Sequence, residues 1–422
     1  MGLIVYSIPL FFLLIGIELL ITKMRKLSYY RFNDAITNLS CGIGSQVSGI
    51  FLKLLTVLAY IKLYQVSPLN GKIPSAWWVW ILLFVAVDFF YYWFHRLAHE
   101  ISLMWGSHVV HHQSEEYNLT VALRQAWYQG AFSFVFYLPL AIAGFPPAMF
   151  FVISSLVTLY QFWIHTKLIH KLPAPVEFIF NTPSHHRVHH GVNPQYIDKN
   201  HAGTFIIWDR MFGTFQPEEE EVVYGITKQP KSWNPIWLNF EYWYDLMKDV
   251  LKVHKWKQAV LLLVKMPGWK PEEMGGTEVH KKVTVASFQK YDTDIPAGLS
   301  YYVFFQFIIV LVSATMFLLF EAKSPFTDSM LLKGGAALLI IFSLLTIGGI
   351  FDKRNWVKPL EYVRLAATAL AVILMFRDTS QFNVIAIVVT ALVLVSCAWF
   401  SRYSSEFISM GNFAIKKEIQ GA

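Results

Sequence analysis

Two cysteines, Cys41 and Cys397, are all that 422 residues carry. Both lie in apolar runs, which excludes a disulfide framework, and no CxxC pair offers a thiolate metal site. Charge is scarce too. Asp, Glu, Lys and Arg make up 15% of the chain, short of the roughly 25% of a soluble domain. No GxGxxG follows a predicted strand. The small residues of CGIGSQVSG (Cys41 to Gly49) lack that spacing and predict close helix packing instead of a nucleotide loop. There is no internal repeat and no low-complexity tail.

What the chain has in excess is apolar. Hydrophobic residues make 55% of it and aromatics 17%, and the mean hydropathy is +0.43. Runs at 3–22, 37–65, 77–98, 127–144, 147–169, 299–320, 330–351, 361–376 and 381–400 approach the ~20 residues that cross hydrocarbon. They predict an all-α integral membrane protein with about nine transmembrane helices. The bases Lys23, Arg25 and Lys26 follow the first run, so it reads as a span with a cytoplasmic flank, not a cleaved signal. Counting onward puts the 66–76 loop and the GFPP turn (Gly144 to Pro147) outside. The segments after the third and fifth runs, and DKRNWVK (Asp352 to Lys358), then fall inside. Bases beside helix ends that meet anionic headgroups account for the net charge of +7 without any nucleic acid.

Three regions are expected: a membrane-embedded catalytic domain over 1–255, a linker over 256–297, and a block of four spans over 298–422. Within the first, 171–255 is polar and extramembrane. Asn234 to Lys252 reads as an amphipathic helix in the headgroup zone, and PEEEE (Pro217 to Glu221) as a solvated acidic turn.

Twelve of the 14 histidines lie between His95 and His201. His95 and His99 are four apart and share a helix face. His108, His111 and His112 repeat at i, i+3, i+4, and so do His186, His189 and His190. Each group can aim two or three nitrogens at one point. His165 ends the fifth run and is expected to join them; His185 and His201 are weaker ligands, and His254 and His280 are read as solvated. Unliganded, such a set would repel on protonation or leave polar nitrogens dry. Eight imidazoles without a thiolate exceed one ion's shell, which points to two metals. Ligand type alone does not choose among iron, copper, nickel and zinc. A site meeting lipid chains, where an unactivated C–H bond needs oxygen and a redox metal, favours two irons.

Asp88 and Glu100 are the candidate catalytic residues. Asp88 shares a stripe with Tyr92, His95 and His99, and an intramembrane carboxylate is a functional candidate by default. It lies about 10 Å along the helix from His95, so it would orient a histidine of another helix or bond a neighbouring one. Glu100 directly follows His99 and reads as a support or gate. A histidine-rich metal transporter is the rival of another class, but it expects ligands spread along a mid-membrane path.

The order HxxxH, eight residues, HxxHH, a long gap, HxxHH resembles the fatty acid hydroxylase superfamily, which includes sterol desaturases and lipid hydroxylases. Flanking words are similar to those of the alkylglycerol monooxygenases: FHRLAHE (94–100), HHQSEEYNLTVALRQ (111–125), NTPSHHRVHHGVN (181–193) and IDKNHAG (197–203). His170 departs from that pattern. The resemblance implies a di-iron site on the eight motif histidines, with Glu100 as the adjacent acid. It implies O2-dependent oxygenation of the ether-bearing carbon of a membrane glyceryl ether lipid, giving a fatty aldehyde and a glycerol derivative. Electrons would come from a diffusing donor, tetrahydrobiopterin in such enzymes, since no haem-carrier domain is fused. A sterol or fatty-acyl hydroxylase or desaturase would use the same site. The membrane would be a bacterial inner membrane or the endoplasmic reticulum.

Overall fold

The computed structural model describes residues 3–277, 282–323 and 328–407; His280 lies outside them. Among the described residues there are helices and no strands, with one isolated bridge between Gly191 and Tyr224. Contacts divide the chain into two units. One comprises the residues up to Pro230 with Leu238–Tyr291, the other Lys231–Trp237 with the residues from Asp292 onward.

The first unit opens with three long helices, α1 (Leu3–Met24), α2 (Phe32–Val66) and α3 (Trp77–Glu100). Short helices α4 (Ser102–Trp105) and α5 (Val109–His112) follow, then α6 (Gln129–Ile142) and α7 (Pro147–Trp163). The stretch after α7 carries α8 (Ala174–Ile179), α9 (Pro183–His189), α10 (Ile207–Phe212), α11 (Pro235–Lys252) and α12 (Trp256–Val264). Helices α2, α3, α6 and α7 pack together around Tyr60, Leu83, Val87, Phe150 and Ile153. The small residues of α2 admit a close approach by the 3-10 turn Val121–Leu123 and by Trp127. A Cβ on Gly42 would lie 2.3 Å from the Leu123 carbonyl oxygen, and one on Gly44 2.3 Å from the Trp127 ring.

Among the described residues, seven helices are long and apolar enough to cross a membrane: α1, α2, α3 in this unit and four in the other. The two remaining expected spans are the shorter α6 and α7, 14 and 17 residues long. At 1.5 Å per residue they measure about 21 and 26 Å, less than the ~30 Å hydrocarbon core. Their connecting turn meets the loop after α2. Ser67 Oγ donates to the Ile142 carbonyl at 2.7 Å, and Tyr60 Oη to that of Phe145 at 3.1 Å. Gly144 takes φ +83 there, and a Cβ would lie 2.6 Å from Leu69.

Among its described residues, the 256–297 stretch includes a helix and contacts within the first unit. It carries α12, whose Leu262 is buried. Near its end Lys290 Nζ lies 2.6 Å from Glu116, and the Tyr291 amide donates to Glu115 at 2.8 Å. These buried carboxylates need cations and donors, and the returning chain supplies them.

The second unit contains α13 (Ala297–Phe320), α14 (Met330–Phe351), α15 (Val357–Phe376) and α16 (Phe382–Ser401), each packed on the next, with α16 returning to α13. Its interior holds a closed polar network. Arg364 bonds Glu361 at 2.6 and 2.9 Å and Gln306 at 2.8 Å. Gln306 donates to Ser396 at 3.0 Å, and Tyr302 donates to Glu361.

Candidate metal centre

One buried stripe of α3 runs Val79, Leu83, Val87, Tyr92, His95, His99. The helical repeat that faces apolar side chains inward therefore faces imidazoles inward in the last two turns. The second motif lies on the single turn of α5 and the residue before it, the third on α9, two turns long, and the residue after it. Their geometry differs from three nitrogens at one point. His108 and His112 join His95, His99 and His189 in one group, while His111 joins His165, His186 and His190 in another. Each HxxHH is thus split, with its i, i+4 pair in one group and its middle histidine in the other. The reason is rotational: positions i+3 and i+4 are one residue, about 100°, apart around the helix. The groups abut, with the rings of His112 and His190 stacked at 4.5 Å. Within each group one nitrogen per ring lies within 4.8 Å of every other.

The outward nitrogens explain the inward ones. Nδ1 of His95 lies 2.7 Å from the His201 carbonyl, that of His111 2.8 Å from Arg124, that of His165 2.7 Å from Gln161 and that of His189 2.9 Å from Lys199. A carbonyl only accepts, so each Nδ1 carries the proton. A neutral imidazole then has only a lone pair on Nε2. Yet Nε2 of His95 lies 2.8 Å from that of His108, whose own Nδ1 bonds Gln129 at 2.9 Å. Nε2 of His111 lies 3.2 Å from that of His165. Buried Nε2 atoms of His99 and His189 have no partner. Lone pairs facing one another at such distances need a cation between them. Two nitrogens about 2.1 Å from one ion at right angles lie about 3 Å apart, the spacing found here. The donor set therefore fits a pair of metal ions.

Electrostatics agree. Burial pushes His108 down to about 4 and His165 to about 3. Burial, then neighbouring imidazoles, holds His112, His186 and His190 well below the usual histidine range. These rings are neutral ligands at neutral pH.

The 197–209 loop supplies two of the orienting carbonyls. Asp198 and Asn200 both take φ 56, a left-handed conformation that Asp and Asn tolerate best among non-glycine residues. The double reversal presents the Lys199 and His201 carbonyls to His189 and His95. Asp209 anchors the loop by accepting from the amides of His201 (2.7 Å) and Ala202 (2.8 Å). Asp88 does the same from α3. It accepts from the amides of Thr204 and Phe205 and from Trp208 Nε1, at 2.7, 3.0 and 3.0 Å. Asp88 thus contacts no histidine ring; it fixes the loop whose carbonyl orients His95.

Glu100 pairs with Arg96 at 2.8 Å and is outside both groups. It neighbours Asp198, which burial, then Glu100, push up to about 6. Asp198 in turn lies 3.3 Å from His99 Nδ1. His185 faces Glu177 at 3.0 Å and not the groups, and His170 is exposed. His201 comes closer than its spacing suggested: its ring is 5.0 Å from that of His99, and its Nδ1 is buried without a partner. The PEEEE turn is not wholly solvated. Glu218 holds Arg187 at 2.7 and 2.6 Å, and Arg187 donates to the carbonyls of Thr166, Ile169 and His170. That clamp binds the chain after His165 to the third motif. Arg124 has no spacing in the sequence that ties it to the histidines. Its guanidinium donates to the Val110 carbonyl at 2.6 Å and to Gln113 at 3.0 Å, on either side of His111 and His112.

The family model for fatty acid hydroxylase matches residues 80–214, the stretch holding every histidine of both groups. An alkylglycerol monooxygenase of Xenopus tropicalis is 41% identical over 360 residues, 84% of this chain and 78% of the relative. The chain belongs to the alkylglycerol monooxygenase family. The Homo sapiens member is 37% identical over 363 residues, 84% of this chain and 79% of its own. The Danio rerio member is 39% identical over 342 residues, covering 80% and 74%. No solved structure matches.

Proposed function

We propose that this membrane protein is a di-iron monooxygenase that cleaves glyceryl ether lipids. The observation that carries the reading is the set of Nε2 atoms facing one another, with the Nδ1 protons of His95, His111, His165 and His189 held by backbone carbonyls. His95, His99, His108, His112 and His189 would hold one ion, and His111, His165, His186 and His190 the other. When bound, the irons supply the activation of O2 and the attack on the C–H bond. One oxygen atom enters the bond beside the ether oxygen. The other leaves as water, with two electrons and two protons from a diffusing donor, which we take to be tetrahydrobiopterin. The hemiacetal collapses to a fatty aldehyde and a glycerol derivative.

The chain's own residues set the stage for this chemistry. Carbonyls at 124, 161, 199 and 201 hold the Nδ1 protons and keep Nε2 basic. The apolar walls of α2, α3, α6 and α7 exclude water. We read α6 and α7 as the fourth and fifth of nine crossings, supported by the contact of their turn with the loop after α2. The histidines then lie on the cytoplasmic side. Parity makes that side independent of whether the α6–α7 pair crosses fully or only dips and returns.

Anaerobic purification with metal analysis, followed by turnover of hexadecylglycerol with candidate reductants, tests the reading. Two irons per chain and release of hexadecanal are expected. His111→Ala should abolish aldehyde release while leaving membrane insertion intact; retained activity rejects the assignment.

A further inference from the structure

The first unit contains a cavity of about 230 Å³ whose lining includes His99, His112, His189 and His190, members of both metal-facing groups. Its other walls come from Trp105, the 197–198 and 225–228 segments, α11 and the chain around Trp269. Four carboxylates line it: Asp198, Glu241, Asp245 and Asp249. Three are engaged. Asp245 pairs with Lys228, Asp249 lies 2.8 Å from Lys270, and Asp198 lies 3.3 Å from His99. Glu241 is 9% exposed, and its carboxylate takes no hydrogen bond from any described residue. Its oxygens border the open space that the metal-facing rings also line and keep their acceptor capacity for whatever enters it. The lining asks for a ligand that brings its own O–H or N–H donors.

Size narrows the choice. Pockets that enclose a drug-sized ligand measure roughly 300–1,000 Å³, so this cavity takes part of a lipid and not the whole. His99, in the cavity wall, lies on α3, whose buried stripe runs back through Val87 and Leu83 into the apolar core with Phe150. In a glyceryl ether the carbon to be oxidised joins a polar diol to an alkyl chain. We infer that this cavity seats the glyceryl head of the substrate, with Glu241 accepting a hydrogen bond from a head-group hydroxyl. The alkyl chain then lies on the apolar side, and the ether-bearing carbon falls at the histidines. The assignment rests on the ether-lipid reading above.

Equilibrium binding to the metal-loaded protein, anaerobic and without reductant, tests it. The probes are hexadecylglycerol and its dimethyl ether, which has the same chain but no hydroxyl donor. Wild type should bind the diol about tenfold tighter, the weight of a hydrogen bond to a charged group. Glu241→Gln should weaken the diol about tenfold and leave the dimethyl ether within about twofold, erasing the preference. Equal weakening of both probes, or a preference that survives Glu241→Gln, overturns the assignment. So does a wild type without preference, a result independent of whether the variant folds. If Glu241→Gln weakens binding of a reduced pterin and not of the diol, the cavity serves the electron donor and the inference falls. Wild-type turnover of hexadecylglycerol reports on the activity separately. Turnover with unchanged diol binding in Glu241→Gln sinks only the cavity assignment; diol-selective binding without turnover sinks only the activity.

Discussion

Both units bury polar side chains among apolar helices, and they do so in opposite ways. In the second, Glu361, Arg364, Gln306, Tyr302 and Ser396 satisfy one another. In the first, four histidines satisfy their outer nitrogens on carbonyls and the inner nitrogens converge, those of His99 and His189 with no partner at all. A closed network holds helices together. An open one is built around something that comes from outside. Buried polarity alone does not distinguish the two; the tally of donors against lone pairs does.

Removing two members from each network should separate them most sharply. His186→Leu with His190→Leu should take out the metal of that group and drop aldehyde release to background. Glu361→Leu with Arg364→Met should keep both irons and most of the turnover, because replacing a whole buried pair by apolar groups is often neutral. Metal analysis and turnover on the two double variants decide it. Breaking only one side of the closed network is different. Arg364→Met alone strands Glu361 and should cost about 3–5 kcal/mol, read as a lower unfolding midpoint in detergent with iron content unchanged in the folded fraction.

A smaller effect tests the orienting layer. Arg124→Gln removes the guanidinium that pins Val110 and Gln113, and should lower metal affinity about 10–100-fold, measured by chelator competition. The mildest test is pH on the metal-stripped protein. His108 and His165 sit near 4 and 3 when folded and near 6.5 when unfolded. Between those values the unfolded chain binds more protons, so stability rises with pH. The stripped protein should therefore lose stability as pH falls from about 6.5 toward 4, while metal-loaded protein holds longer. The second unit has no histidine among its described residues and contributes nothing to this titration.

How much of this was legible follows from the kind of information involved. Spacing exposes which side chains can meet, so the eight motif histidines and His165 stand out in the sequence. Spacing does not say that i+3 and i+4 diverge to separate centres, because that depends on what α5 and α9, each only one or two turns long, face. Asp88 reads from sequence as a partner for a histidine of another helix or as a structural bond to a neighbouring helix. Its true partners are two amides and an indole in a loop 116–120 residues away, a fold-back that no local pattern encodes. His185 sits one residue from a ligand-spaced histidine, yet Glu177 captures it. The pair α6 and α7 merges in sequence with its apolar flanks, so both helices look longer than they are.

The carbonyls that take the imidazole protons belong to Arg124, Gln161, Lys199 and His201. A carbonyl is present whatever its residue carries. The angular setting of those rings is therefore inherited with the course of the main chain and is blind to side-chain drift. Saturation libraries at codons 161 and 199 should read as nearly neutral, although both residues hold a ring that faces the ions. Retuning those rings would take an insertion or deletion that shifts the backbone itself.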